Sequence, residues 1–281
     1  MHYIKSTEWL NERLNNVNIR VIDCRFSLTD RSYGQRTFKK DHIPGAVFFD
    51  LEKDLSGPVQ EHGGRHPLPD LSVFKHKLEL AGINNRTIVV AYDDGEGSFA
   101  SRFWWLLTYI GHDQVYVLDG GLKKWKDAGY PITSHTMKYE ETVFSIFENK
   151  HMLATYLEVK QRSADKQAVL IDSRAKERYL GLTEPMDKRP GHIPGAINKV
   201  WTEGFKDGKW KSKQDQIARF TELDHSTEII VYCGSGVTAT PNILNLMSAG
   251  FENVKLYAGS YSDWVSYDEN PVEGITDKTE P

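Results

Sequence analysis

One half of this chain is written again in the other. Val21-Ile22-Asp23-Cys24-Arg25 returns as Leu170-Ile171-Asp172-Ser173-Arg174, with Asp172 lying 149 residues after Asp23. His42-Ile43-Pro44-Gly45-Ala46 returns as His192-Ile193-Pro194-Gly195-Ala196, 150 residues on. Val89 to Asp93 matches Ile229 to Cys233, and Gly111, Gly120 and Trp125 match Gly250, Gly259 and Trp264. Solenoid units run roughly 20–50 residues, so a period this long is a duplicated domain. The fold must therefore be one that can be built twice in 281 residues, a length that suits two ordinary domains.

Within each half, short β-branched runs alternate with helical stretches, as in Thr87 to Tyr92, Ala100 to Ile110 and Gln114 to Leu118. The alternation predicts βαβ units and an α/β fold, each half a mostly parallel central sheet flanked by helices. Residues 1–135 form the expected first domain, 136–149 a polar linker without periodicity, and 150–281 the second domain. Ligands of such sheets sit beyond the carboxyl ends of the strands.

Composition excludes several classes. A formal net charge of −4 offers no basic field for nucleic acid or an anionic membrane. The longest apolar run, Phe103 to Ile110, is too short to cross a bilayer and reads as a buried helix face. Two cysteines far apart, Cys24 and Cys233, suggest neither a disulfide framework nor a zinc ribbon, and no metal or organic cofactor is expected. The amino terminus lacks the pattern of a secretory signal, so a cytoplasmic location is expected.

The chemistry is expected where Ile229-Ile230-Val231-Tyr232 runs into Cys233-Gly234-Ser235-Gly236-Val237-Thr238-Ala239. A helix starting near Val237 would point unpaired N–H groups back at Cys233 and favour its thiolate, the reactive form. A cysteine at a strand end is more often a small buried hydrophobe. Here the following Gly, Ser, Gly and Thr offer donors and fill no core. The first half carries Asp93-Asp94-Gly95-Glu96-Gly97-Ser98 at the same place, acidic and without a thiol, which implies a structural role. Cys24, which matches Ser173, reads as structural too, as do the two Asp-x-Arg pairs and the histidines His42 and His192.

The duplicated Asp-x-Arg, the His-Ile-Pro-Gly-Ala segments, the strand-Cys-loop and the trailing Gly and Trp together resemble the two-domain rhodanese family of sulfurtransferases, over nearly the whole chain. The family implies two tandem rhodanese-like domains, with a persulfide carried on Cys233 of the second. The Gly234-Ser235 loop is similar to that of members using 3-mercaptopyruvate, while thiosulfate-using members typically carry Arg-Lys there. A dianion profits from loop cations, and a monocarboxylate needs fewer.

The resemblance also implies a site. The loop residues Gly234, Gly236, Val237 and Thr238 would cradle the donor, and Arg178 would hold its carboxylate. A second arginine before the His-Ile-Pro-Gly segment would be Arg189, with Lys188 as a substitute. Ser235, His66 and Glu52 would complete the catalytic set, although some relatives have aspartate in place of Glu52. His62 is a rival for His66, and a metal reading of the two is weak without further ligands.

The expected reaction is ping-pong transfer of sulfane sulfur from a small donor, 3-mercaptopyruvate or thiosulfate, to cyanide or a thiol such as thioredoxin or a small thiol, by a monomer. A cysteine phosphatase or arsenate reductase would need an arginine six residues after the cysteine, where this chain has Ala239. A persulfide carrier without small-molecule turnover remains a rival of another class.

Overall fold

The computed structural model describes residues 3–275. They divide into two compact units whose chain segments are interleaved. The first holds the residues up to Gly57, Leu68–Lys150 and Phe205–Lys213; the second holds Pro58–Pro67, His151–Gly204 and the residues from Gln214 on. Each unit thus contains a short stretch from the other half of the sequence.

In the first unit, β1 (Ile4–Lys5), β2 (Ile19–Asp23), β3 (Ala46–Phe48), β4 (Ile88–Tyr92) and β5 (Val115–Leu118) form one sheet in the order β1-β5-β4-β2-β3. All its pairings are parallel. The connecting helices are α1 (Thr7–Asn11), α2 (Tyr33–Lys40), α3 (Leu71–Leu80), α4 (Ser98–Tyr109) and α5 (Gly121–Asp127). Strand side chains alternate between faces. Val90 and Tyr92 join Leu10 of α1, Phe38 of α2 and Trp125 of α5 in one buried cluster. Helix α4, apolar nearly all round and almost wholly buried, packs on β4 and β5. The expected strands and helix of this region are all present, each within two residues of the bounds read from periodicity. No helix among the described residues is long and apolar enough to cross a membrane.

The second unit repeats the plan. It contains α6 (Tyr156–Asp165), β6 (Ala168–Asp172), α7 (Lys176–Tyr179) and β7 (Ile197–Asn198). After the hairpin β8 (Phe205–Lys206) and β9 (Lys209–Trp210), whose segment belongs to the first unit, come α8 (Lys213–Arg219), β10 (Glu228–Tyr232), α9 (Thr240–Ala249), β11 (Val254–Leu256) and α10 (Ser260–Trp264). The sheet order is β11-β10-β6-β7, again all parallel, and matches β5-β4-β2-β3 of the first unit.

The repeated motifs are fold devices. Arg25 donates to both carboxylate oxygens of Asp23 and to the carbonyl of Asp41; Arg174 does the same with Asp172 and the carbonyl of Gly191. The tyrosine hydroxyl ending each central strand, Tyr92 or Tyr232, accepts the N–H of Ile43 or Ile193. His42 and His192 bond through Nδ1 to the carbonyls of Phe38 and Tyr179 at 2.7 Å and stack on the same rings. Trp125 and Trp264 each donate the indole N–H, at 2.8 Å, to the carbonyl of a proline six or seven residues on. These residues locate turns and strand ends.

Residues 134–149 form no regular element and lie along the first unit. There Tyr139 donates to the carbonyl of Gly45, and the N–H of buried Phe144 donates to Glu79.

Candidate active site

Strand β10 ends at Tyr232, which places Cys233 at the carboxyl edge of the sheet. The loop that follows is held from the side of α10. The N–H of Tyr261 donates to the carbonyl of Cys233 and that of Ser262 to the carbonyl of Gly234, both at 3.0 Å, while the N–H of Cys233 donates to Ser260 Oγ. Gly236 has φ +77°, and a Cβ there would lie 2.3 Å from the carbonyl oxygen of Ala258, so only glycine fits.

Helix α9 begins at Thr240, three residues later than periodicity suggests, because Val237 to Ala239 form a turn closed by the N–H and hydroxyl of Thr240 on the carbonyl of Val237. The donors that follow Cys233 are therefore loop amides. Among the described residues, the N–H groups of Gly234, Ser235, Val237 and Thr238 have no protein acceptor. Successive unpaired amides of this kind make a concavity for an anion such as a thiolate or persulfide.

The first unit has the same skeleton with different chemistry. The N–H groups of Leu122 and Lys123 in α5 donate to the carbonyls of Asp93 and Asp94, as those of α10 do to Cys233 and Gly234. The buried Asp93 carboxylate accepts the amides of Gly95, Gly97, Phe99 and Ala100, so it fills its own loop. Burial still lifts its pKa above the ordinary carboxylate value, with those amides pulling it back. Cys24 is buried, and desolvation, reinforced by Asp23 and Asp93, pushes its thiol well above the usual range.

Two expected partners of Cys233 meet in the second unit. His66 Nδ1 and Ser235 Oγ are 2.8 Å apart, both buried, although 169 positions separate them. His66 reaches Ser235 because Pro58–Pro67 belongs to the second unit. Its rival His62 is exposed; it stacks on Tyr267 and bonds Ser266.

Arg178 also stands at the loop. A Cβ on Gly234 would lie 3.4 and 3.5 Å from its two terminal nitrogens. Its guanidinium is held by Glu184, through Nε at 3.2 Å and a terminal nitrogen at 2.7 Å, and by Asp187 at 2.9 Å.

Arg189 has backbone partners in the second unit. Its terminal nitrogens donate to the carbonyls of Tyr267, Asp268 and Asn270, so its guanidinium fastens the segment after α10. Lys188 is exposed. Glu52 lies in the first unit, where its carboxylate is 3.2 Å from Arg31 and its N–H donates to Asp50.

The residue that sequence reading missed is Arg65. The same Cβ on Gly234 would be 2.8 Å from an Arg65 terminal nitrogen, closer than side chains tolerate, so the glycine makes room for the guanidinium. Burial draws the pKa of Arg65 below the ordinary arginine value, and Cys233 is the largest charge interaction opposing that. It remains cationic at any working pH. Arg65 pairs with Asp187, and its Nε is buried without a partner. The available signal was position: Arg65 directly precedes His66.

Known proteins resemble this chain along both repeats. The Rhodanese-like domain model matches residues 6–128 and 155–267. A probable 3-mercaptopyruvate sulfurtransferase of Pseudomonas aeruginosa is 41% identical over 273 residues, spanning 95% of this chain and 96% of that protein. Mouse thiosulfate sulfurtransferase is 35% identical over 274 residues, spanning 92% and 90%. The crystal structure of SseA from Escherichia coli, a 3-mercaptopyruvate sulfotransferase, superposes with a TM-score of 0.83 at 33% identity, covering 92% of this chain and 99% of that one. Duplicated strands, a cysteine loop in the second repeat alone and matches along both repeats lead to one conclusion: the chain belongs to the rhodanese family, as a two-domain sulfurtransferase.

Proposed function

We propose that this protein takes sulfane sulfur from 3-mercaptopyruvate and delivers it to a thiol through a persulfide on Cys233. The observation that carries the choice of donor is the Ser235–His66 hydrogen bond beside a neutral Gly234-Ser235 loop, with the cations contributed from outside the loop by Arg65 and Arg178. The Cys233 thiolate attacks the donor sulfur, a new S–S bond forms and the C–S bond breaks. Its electron pair goes to the methylene carbon, and the proton of the donor thiol moves to that carbon through Ser235 and His66, leaving pyruvate and an anionic persulfide. Loop amides stabilise sulfur anions at both stages. The acceptor thiolate then attacks the outer sulfur and releases Cys233.

The reading takes the protein as a cytoplasmic monomer whose acceptor is thioredoxin or a small thiol; its two free cysteines suit a reducing compartment. Thiosulfate is the second donor to consider, because two guanidinium groups border Gly234.

The test is kcat/KM for 3-mercaptopyruvate against thiosulfate with one thiol acceptor in excess. A clear preference for 3-mercaptopyruvate supports the proposal, and a preference for thiosulfate overturns it. Ser235→Ala sharpens the comparison. Sulfite leaves thiosulfate with its electron pair and needs no proton on carbon, so the variant should lose roughly 10²–10⁴-fold in kcat with 3-mercaptopyruvate and far less with thiosulfate. Equal losses with both donors would remove the relay. Arg178→Ala should raise KM for 3-mercaptopyruvate by about 10–150-fold, the loss of a charged hydrogen bond worth about 1.5–3 kcal/mol. Steady-state kinetics on the two variants checks both.

A further inference from the structure

The two arginines at Gly234 already share a carboxylate. One oxygen of Asp187 pairs with Arg65 and the other with Arg178, and the Asp187 side chain is 2% exposed. A donor carboxylate lying across the same pair would use one oxygen on each guanidinium, so it and Asp187 compete for one place.

Asp187 is held differently from its neighbour Glu184. Glu184 is tied to Arg174, to Arg178 and to the backbone N–H groups of Met186 and Asp187, and so shapes the turn. The Asp187 oxygens have, among the described residues, no partner besides the two arginines. Its flanking residues Met186 and Lys188 are exposed, and a cavity of about 190 Å³ lined by Gly64, Arg65, Asp187, Ser262 and Ser266 adjoins it. A turn of one short side chain therefore has room. Arg65 Nε, buried and unpartnered, is a further donor at this site that Asp187 does not take up.

We infer that Asp187 is a resident counter-carboxylate of the donor site, which neutralises the Arg65–Arg178 pair until the donor's carboxylate displaces it and thereby sets the site's charge preference. The inference rests on the donor reading above. With Asp187 in place, Arg65, Arg178, Glu184 and Asp187 sum to zero charge. Its departure leaves one positive charge, which a monocarboxylate neutralises and a dianion exceeds. A site whose competent form is only partly populated binds with its affinity reduced by that fraction.

The experiment is steady-state kinetics of Asp187→Asn and Asp187→Glu with 3-mercaptopyruvate and with thiosulfate, beside inhibition by pyruvate. Asp187→Asn should lower KM for 3-mercaptopyruvate roughly three- to tenfold, tighten pyruvate inhibition in parallel, and lower KM for thiosulfate by a larger factor. Asp187→Glu keeps the charge and should keep KM at or above the parent value. An unchanged or raised KM in a folded Asp187→Asn variant would assign Asp187 to positioning the arginines and overturn the inference. Should the Asn variant fail to fold, Asp187→Ala makes the same comparison. Failure of the donor reading shows separately, as a parent enzyme that prefers thiosulfate; the pyruvate and thiosulfate arms still judge Asp187 then.

Discussion

Cys233→Ser removes sulfur transfer from every donor, by at least roughly four orders of magnitude in kcat. A hydroxyl of ordinary acidity offers almost no alkoxide at neutral pH, and its oxygen cannot carry a second sulfur as a persulfide. The change does little to the fold, because what anchors this position is backbone: the N–H on Ser260 Oγ and the carbonyl under the N–H of Tyr261. Mass spectrometry after a donor pulse, without acceptor, checks it directly. The parent protein should gain one sulfur atom and Cys233→Ser none. Cys24 serves as the internal control, since its buried thiol is held well above the usual range and should stay unmodified. Sulfur on Cys24, or transfer surviving in Cys233→Ser, would overturn the assignment.

Arg174→Ala should cost about 3–5 kcal/mol of stability, the penalty for stranding one member of a buried ion pair. Arg174 is 1% and Asp172 0% exposed. Burial opposes the guanidinium charge, yet Asp172 raises its pKa above the ordinary arginine value. The guanidinium also donates to the carbonyl of Gly191 and to Glu184 Oε2, and it lies 3.9 Å over the ring of Tyr261. Its removal leaves the Asp172 carboxylate buried with the backbone N–H at position 174 and the Tyr232 hydroxyl as donors in place of a paired charge. The melting temperature should fall by roughly 6–20 °C. Thermal unfolding measures this, and the double variant Arg174→Met with Asp172→Leu tests the cause. If the loss comes from an uncompensated charge, the pair of apolar residues recovers much of it. A double variant no more stable than Arg174→Ala would place the loss in the contacts to Gly191 and Tyr261.

Glu184 links this stability element to the site, since it bonds both Arg174 and Arg178. Arg174→Ala should therefore also loosen Arg178, which adds a KM effect to the fall in melting temperature.

The legible features were those written in local pattern. The apolar run Ile229 to Tyr232 followed by Cys-Gly-Ser-Gly announces a buried strand ending in a turn, and the structure has that strand and that loop. The repeats at Asp23 and Asp172, and at His42 and His192, announced two copies of one sheet, and the two sheets share strand order and parallel sense. Helix α9 starts three residues after Val237, because the turn that Thr240 closes on Val237 through its N–H and hydroxyl leaves no mark in the apolar periodicity.

By itself, then, the sequence determined the duplication, the parallel α/β architecture and the position of Cys233 at a strand end. Each of these depends on residue type and near-neighbour spacing. Only the tertiary structure decided which guanidinium groups stand at the thiol. Arg189 and Arg65 are both arginines in polar, proline-flanked segments, and nothing local separates them. The exchange of Pro58–Pro67 into the second unit carries Arg65 to Gly234, while Arg189 donates to the carbonyls of Tyr267, Asp268 and Asn270. The reason is physical: a charge acts over a few ångströms of space, and contacts between segments far apart in the chain leave no periodic mark in the sequence.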